Sequence, residues 1–233
     1  MAFTLQHDAD RTDDDPAPDE LPPGPGSCPL CGRPVYAWIA LPAAGDDATV
    51  GLPLGGPERV LMRCEDCGVA FERDRKIDLA AEWTAVCRPG EPPERLIVIP
   101  NRASVQAGIG VEGWAAIELS PGRLIHTPAS LDLLAERNGQ SIERRRGVPS
   151  WRALGWMWQT LLNGLTFRPN FARELRAGRV HPQGGGERAR FTVDLVVTVL
   201  GGPLVALVSF PLELVASLAG RGGELVATAR ERR

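Results

Sequence analysis

The chain has 233 residues, 43% of them hydrophobic, and a formal net charge of −3; this is enough apolar material for a buried core and excludes both a short peptide scaffold and a large multidomain assembly. The charge is uneven, because before Ser27 the acids Asp8, Asp10, Asp13, Asp14, Asp15, Asp19 and Glu20 face Arg11 alone, which leaves the remainder mildly basic. That excess is small and scattered, so a nucleic-acid partner is not expected.

Residues 1–27 combine these acids with Pro16, Pro18, Pro22, Pro23 and Pro25 and hold too few apolar side chains to offset the entropy of ordering, which predicts a disordered acidic tail. The opening MAFTLQHDADRTDDD has neither the basic start nor the apolar stretch of a secretion signal, and a cytoplasmic location is expected. Residues 28–75 form the next unit. CPLCG and CEDCG place Cys28, Cys31, Cys64 and Cys67 as two CxxC pairs with 32 residues between them, a ligand set whose four soft thiolates suit a closed, structural zinc site. An iron centre held by the same sulfurs also fits the spacing. Each pair ends in glycine, which lets backbone N–H groups turn toward sulfur. The Gly- and Pro-rich stretch 43–57 reads as a hairpin tip, and the fifth cysteine, Cys87, as an inert helix residue.

Residues 76–233 are expected to form the larger unit. An amphipathic pattern from Asp78 to Cys87 predicts a helix, and RLIVIP (Arg95–Pro100) a buried strand. Gly108, Gly110 and Gly113 spell GxGxxG, but Pro100 to Ala107 separate them from the strand, so the pattern reads as a flexible loop rather than a nucleotide cradle. Thr127 as N-cap, Pro128 at the first helical position and Gly139 as terminator bound a second helix, with a strand in SIERRR (Ser141–Arg146). Trp151, Leu154, Trp158, Leu161, Leu162 and Leu165 recur at helical spacing. Gly184, Gly185 and Gly186 read as a flexible turn. Between Asp194 and Glu213 no charged residue occurs; Gly201, Gly202, Pro203 and Pro211 interrupt this run, which suggests a helical hairpin that is buried, covered by a partner or inserted at a membrane surface, more than a straight membrane span. Residues 222–230 read as a terminal strand.

RPGEPPERLIVIPN, WAAIELSPGRLIHTPASLDLLAERNG and GRGGELVATARER together resemble the C-terminal half of class I S-adenosylmethionine-dependent methyltransferases that carry a cysteine-rich zinc module in front. The resemblance implies an α+β fold: a zinc ribbon, then a truncated Rossmann-like half with a few-stranded sheet, and an apolar helical insertion at about 150–220. It places His126 at the family's helix-start histidine, a candidate on the substrate side. The family's cofactor loop and ribose-binding carboxylate have no counterpart in this sequence, so no catalytic or cofactor-binding residue carries over and S-adenosylmethionine binding is not expected. These features suggest a noncatalytic interaction or regulatory subunit. A methyltransferase completed by a partner chain, and a membrane-surface or nucleic-acid-binding zinc-ribbon protein, are the alternatives. A strand at 95–100 that has lost its neighbour needs a cover, which suggests a partner or self-association there.

Overall fold

The computed structural model describes residues 26–41, 59–73, 75–88, 95–117, 123–146, 149–182 and 184–232. The acidic tail up to residue 25, the expected hairpin tip at 43–57 and the proline-rich turn at 89–94 lie outside these residues.

The fold is α+β with two small sheets. In the cysteine module, β1 (Val35–Leu41), β2 (Arg59–Cys64) and β3 (Ala70–Glu72) form an antiparallel sheet in the order β1-β2-β3. The register of β1 against β2 shifts between Ala37 and Ile39, leaving Trp38 as the extra residue of a bulge.

Helix α1 (Leu79–Val86) starts at Asp78, whose carboxylate accepts from the N–H groups of Ala80 (3.0 Å) and Ala81 (3.2 Å), an ordinary N-cap. The expected helix stops one residue short of Cys87. Cys87 turns extended and, with Arg88, forms the two-residue strand β4, which pairs antiparallel with Ile97 and Leu96.

The second sheet has the order β4-β5-β7-β6, from β5 (Arg95–Pro100), β6 (Gln140–Arg146) and β7 (Glu224–Glu231). Both β5 and β6 run antiparallel to β7, so they are parallel to each other, and the chain between them crosses over through α2 (Val105–Gly110) and α3 (Pro128–Arg137). This is a split βαβ unit with the last strand inserted in its middle. One edge of β5 pairs with β7 along its whole length; on the other, the edge expected to lack a neighbour, β4 pairs with Leu96 and Ile97.

The two sheets share one core. Cys28, Leu30, Cys64, Cys67 and Val69 pack in a single cluster with Trp83, Ile97, Leu131, Leu134, Ala135 and Leu225. Each apolar side chain removed from water there contributes about 1.5–3 kcal/mol.

The rest is helical. α4 (Trp151–Asn163) forms with Ser150 as cap, but it buries Ala153, Trp156, Met157, Thr160 and Leu162. Of the expected stripe only Leu162 is buried, because the apolar body of the protein packs against the neighbouring face; Trp151 and Leu165 are exposed, and Leu165 lies past the end of the helix. α5 (Phe171–Arg176) leads to α6 (Gly185–Val196), a five-residue π turn (Val197–Gly201) and α7 (Gly202–Leu218), which form one continuous helix from Gly185 to Leu218. Two expectations fail here. Gly184–Gly186 are not a free turn but the cap and first turn of α6. Nor does the segment fold back as a hairpin at Gly201, Gly202 and Pro203, because the widened π turn takes up the register before the proline without breaking the helix.

Candidate metal centre

The two cysteine pairs form matching knuckles. In the first, the N–H of Gly32 donates to the Cys28 carbonyl (2.9 Å) and that of Cys28 to Arg33 (2.7 Å); in the second, Gly68 donates to Cys64 (3.1 Å) and Cys64 to Val69 (3.0 Å). Gly32 and Gly68 have φ of 72° and 71°, the left-handed region where a side chain is strained, so the glycine after each CxxC is a backbone requirement. A Cβ at Gly68 would also lie 2.8 Å from Thr127 Cγ2.

The knuckles bring Cys28, Cys31, Cys64 and Cys67 together, with all four sulfurs within 4.8 Å of one another. Cys28 and Cys67 Sγ are 3.6 Å apart and Cys31 and Cys64 Sγ 3.4 Å apart, against about 3.8 Å for the edge of a tetrahedron with metal–sulfur bonds of ~2.3 Å. Four cysteines are thus positioned to hold one metal ion, in a geometry compatible with zinc.

Proton sharing among the sulfurs points the same way. A hydrogen bond from the Cys67 thiol, helped by the backbone N–H groups of Cys31 and Leu30, lowers the Cys28 pKa to about 5, whereas Cys31 is pushed up to about 11, chiefly by burial, and Cys67 is pushed up by its bond to Cys28 and by burial. Thiolates crowded this closely repel one another, and a dication is the species that lets all four ionise. Three of the four cysteines are buried and Cys31 is half-buried.

The site is tied to the body of the protein by α3. The Thr127 hydroxyl donates to the Cys67 carbonyl (2.6 Å) and accepts from Ser130 N–H (3.1 Å), while Arg137 Nε donates to the Leu30 carbonyl (2.7 Å). Ala70 and Ile125 exchange both backbone hydrogen bonds (3.1 and 2.8 Å).

His126 is almost fully buried. Its Nδ1 lies 3.3 Å from Ser130 Oγ and its Nε2 3.6 Å from Glu82 Oε1, a serine–histidine–glutamate row. The row is structural: Ser130 is fully buried, its hydroxyl donates to the Thr127 carbonyl (3.1 Å) and its oxygen accepts from Thr127 N–H (2.8 Å), so it has neither access nor a free proton. Burial works against the charge on Glu82, but the neighbouring His126 ring and Arg123 guanidinium outweigh it and hold the carboxyl below its usual pKa.

The GxGxxG stretch is not a loop but helix α2 followed by a 3₁₀ turn (Val111–Gly113). A Cβ at Gly110 would meet Thr160 Cγ2 at 2.5 Å, so this glycine lets α2 approach α4 closely and needs no ligand to explain it. Among the described residues a cleft of about 350 Å³ is lined by Glu82, Val98, Pro100, Arg123, Arg152 and Trp156; its charges are already paired, Arg123 with Glu82 and Arg152 with Glu224.

No family model, curated protein or solved structure matches this chain.

The feature that sequence reasoning missed is the orientation of the long helix. From Val193 to Ala219 every exposed side chain is apolar, including Val199, Leu200, Leu204, Leu207, Val208, Val215 and Leu218, whereas Asp194, Ser209, Glu213 and Ser217 are buried and Thr198 is half-buried. At 3.6 residues per turn the outward side chains sweep roughly half the circumference. Only 11% of its most apolar 18-residue window is buried, and among the described residues it is the one helix long and apolar enough to cross a membrane.

The inward polar groups fasten it. Asp194 accepts from the N–H groups of Phe167 (2.7 Å) and Arg168 (3.2 Å); Glu213 accepts from Gly223 N–H (2.7 Å), the Gln106 amide (2.9 Å) and the Ser217 hydroxyl (3.1 Å). Trp158 of α4 donates to the Gly202 carbonyl (2.8 Å). Spacing alone could have hinted at this, since the polar residues of the segment recur at helical intervals.

Proposed function

We propose that this chain is a noncatalytic, zinc-containing, methyltransferase-like subunit that acts by contact, docked on a membrane surface by the outward face of α6 and α7. The observation that carries the reading is the inverted polarity of that helix. In water, a helix on a protein surface turns its apolar stripe to the core; burying polar and small residues while presenting leucine and valine outward is the arrangement of helices in contact with lipid.

Surface docking fits better than a span. Asp194 and Glu213 fasten the helix at both ends to the body, and α4 runs alongside it, so a span would draw polar protein into hydrocarbon. Lying in the interface plane, the outward half sinks about 5–10 Å into the headgroup and acyl boundary. The segment leading into it supports an anionic surface: between Leu165 and Val193 stand Arg168, Arg173, Arg176, Arg179, Arg188 and Arg190 against Glu174 and Glu187, and each arginine near such a surface is worth about 1 kcal/mol. Leu165 and Phe167, both exposed, add apolar contact beside them.

Zinc is the ion we assign to the four cysteines, since it is closed, redox-silent and suited to tetrahedral thiolates. The split βαβ unit supports the truncated methyltransferase origin, in which a methyl donor would need a partner chain to complete its site. Among the described residues no strand pairs with the β4 side of β5 beyond Ile97, which favours a partner strand at Val98–Pro100; a monomer in light scattering that forms no cross-links there would remove that contact.

Flotation of the full-length protein with vesicles tests the docking. The protein is expected to float with vesicles containing anionic phospholipid, and the double variant Leu204→Glu, Leu207→Glu to lose at least about tenfold in partitioning, given ~1.5–3 kcal/mol per leucine. Absence of flotation by the parent chain, or equal flotation by a folded double variant, rejects the reading.

A further inference from the structure

Many arginines of this protein pair with a carboxylate: Arg59 with Glu72, Arg123 with Glu82, Arg145 with Asp132, Arg152 with Glu224, Arg232 with Glu136. Arg63 and Arg102 are different. Both are half-buried, the Nε of each is buried without a hydrogen-bond partner, and among the described residues no carboxylate pairs with either. They also face the same strand, Arg63 lying over Tyr36 of β1 and Arg102 over Trp38, two residues further along. Two neighbouring like charges whose Nε atoms are buried without an acceptor are costly unless an anion joins them.

Their walls are aromatic. Tyr36 and Arg63 are cross-strand partners on β1 and β2, with the guanidinium carbon 5.8 Å from the ring centre. Arg102, just after β5, lies over Trp38 at 4.3 Å. Trp38 is the bulge residue of β1, and a bulge is the device by which a strand re-aims a side chain next to a site. Arg102 is held from behind, its N–H donating to the His126 carbonyl (2.9 Å). On alternating strand positions Arg63 and the metal ligand Cys64 point to opposite faces of the sheet, so the metal's thiolates do not neutralise this pair.

We infer that Arg63 and Arg102, backed by Tyr36 and Trp38, form a clamp for a small phosphoryl anion at the junction of the cysteine module and the body. Planar guanidinium forks match the oxygens of a phosphate in pairs, where lysine offers only a point charge. The aromatic faces hold the forks in place and leave their N–H edges for the ligand. The clamp is independent of the lipid-facing helix: it uses other residues, on other elements.

The test is calorimetric titration of the full-length, metal-loaded protein with inorganic phosphate, and separately with a nucleoside monophosphate. Saturable binding at one site is expected, weakened at least about tenfold by Arg102→Gln and by Arg63→Gln, the loss of one charge-assisted contact. Arg102→Lys keeps the charge but removes the fork, and is expected to weaken binding as well, which covers the case of a glutamine variant that folds poorly. Tighter binding of the nucleoside monophosphate identifies a nucleotide as the phosphoryl carrier; equal binding identifies phosphate itself. Flotation on anionic vesicles is expected to be unchanged in Arg102→Gln, separating this site from lipid contact. Non-saturable heats with both ligands, or equal affinity in folded Arg102→Gln and Arg63→Gln variants, overturns the clamp.

Discussion

The metal module and the long helix solve opposite problems. Around the four cysteines the chain obeys the rule for proteins in water: Leu30, Val69, Leu131 and Leu134 are buried, and the polar Thr127 is inside where its hydroxyl holds a carbonyl. Along α6 and α7 the rule is reversed, with Glu213 fully buried and Leu207 73% exposed. One chain thus carries a surface made for water and a surface made for something apolar, and the boundary between them is drawn by buried hydrogen bonds, not by hydrophobic burial.

That contrast can be broken most forcefully at the metal. Chelation, or Cys64→Ser, is expected to remove stoichiometric metal and to unfold the module, because structural zinc supplies on the order of 10 kcal/mol to small sites of this kind; elemental analysis with circular dichroism and thermal melting reads it. A metal-free chain with an unchanged melt would show that the shared core suffices without the ion.

A smaller effect distinguishes the two faces of the long helix. Glu213→Ala leaves the Gly223 N–H without its acceptor and the Gln106 amide with only the Ala153 carbonyl at 3.4 Å, and is expected to cost about 2–4 kcal/mol, at ~1–3 kcal/mol per buried group left unpaired. Leu204→Ala, on the outward face, is expected to change stability in aqueous buffer by less than about 0.5 kcal/mol. Denaturant titration of both variants checks the inversion; a larger loss at Leu204 than at Glu213 would mean that the apolar face is packed against protein in solution.

The smallest effect is a pH dependence in the module's flank. Because the pairing of Glu82 holds its folded pKa below the unfolded value of about 4.3, the stabilisation is present above that pH and is lost as pH falls through the depressed folded value. Glu82→Gln is expected to flatten this slope below about pH 4.3 relative to the parent, as read by denaturant titration across that range. An unaltered slope would assign the acid sensitivity elsewhere, the cysteine site first.

Much of the local structure was legible. CxxC spacing with a following glycine located the four cysteines that come together, because each knuckle is closed within five residues by its own backbone. Thr127 and Pro128 marked the start of α3 for the same reason. The glycines and prolines at 201–203 misled, since punctuation that breaks a short helix can be absorbed by a π turn in a long one fastened at both ends. Cys87 was misplaced by one residue, because β5, ten positions away, recruits it into a strand.

The sequence by itself determined the two cysteine knuckles, the capped helices and the apolar run, since each depends on contacts between near neighbours in the chain. Only the tertiary structure decided that this run turns its leucines outward, that Glu213 holds Gly223 and Gln106, and that Trp38, Arg63 and Arg102 meet. Those arrangements join residues tens of positions apart, and hydrogen bonds and charge act on distance in space, which spacing along the chain does not specify.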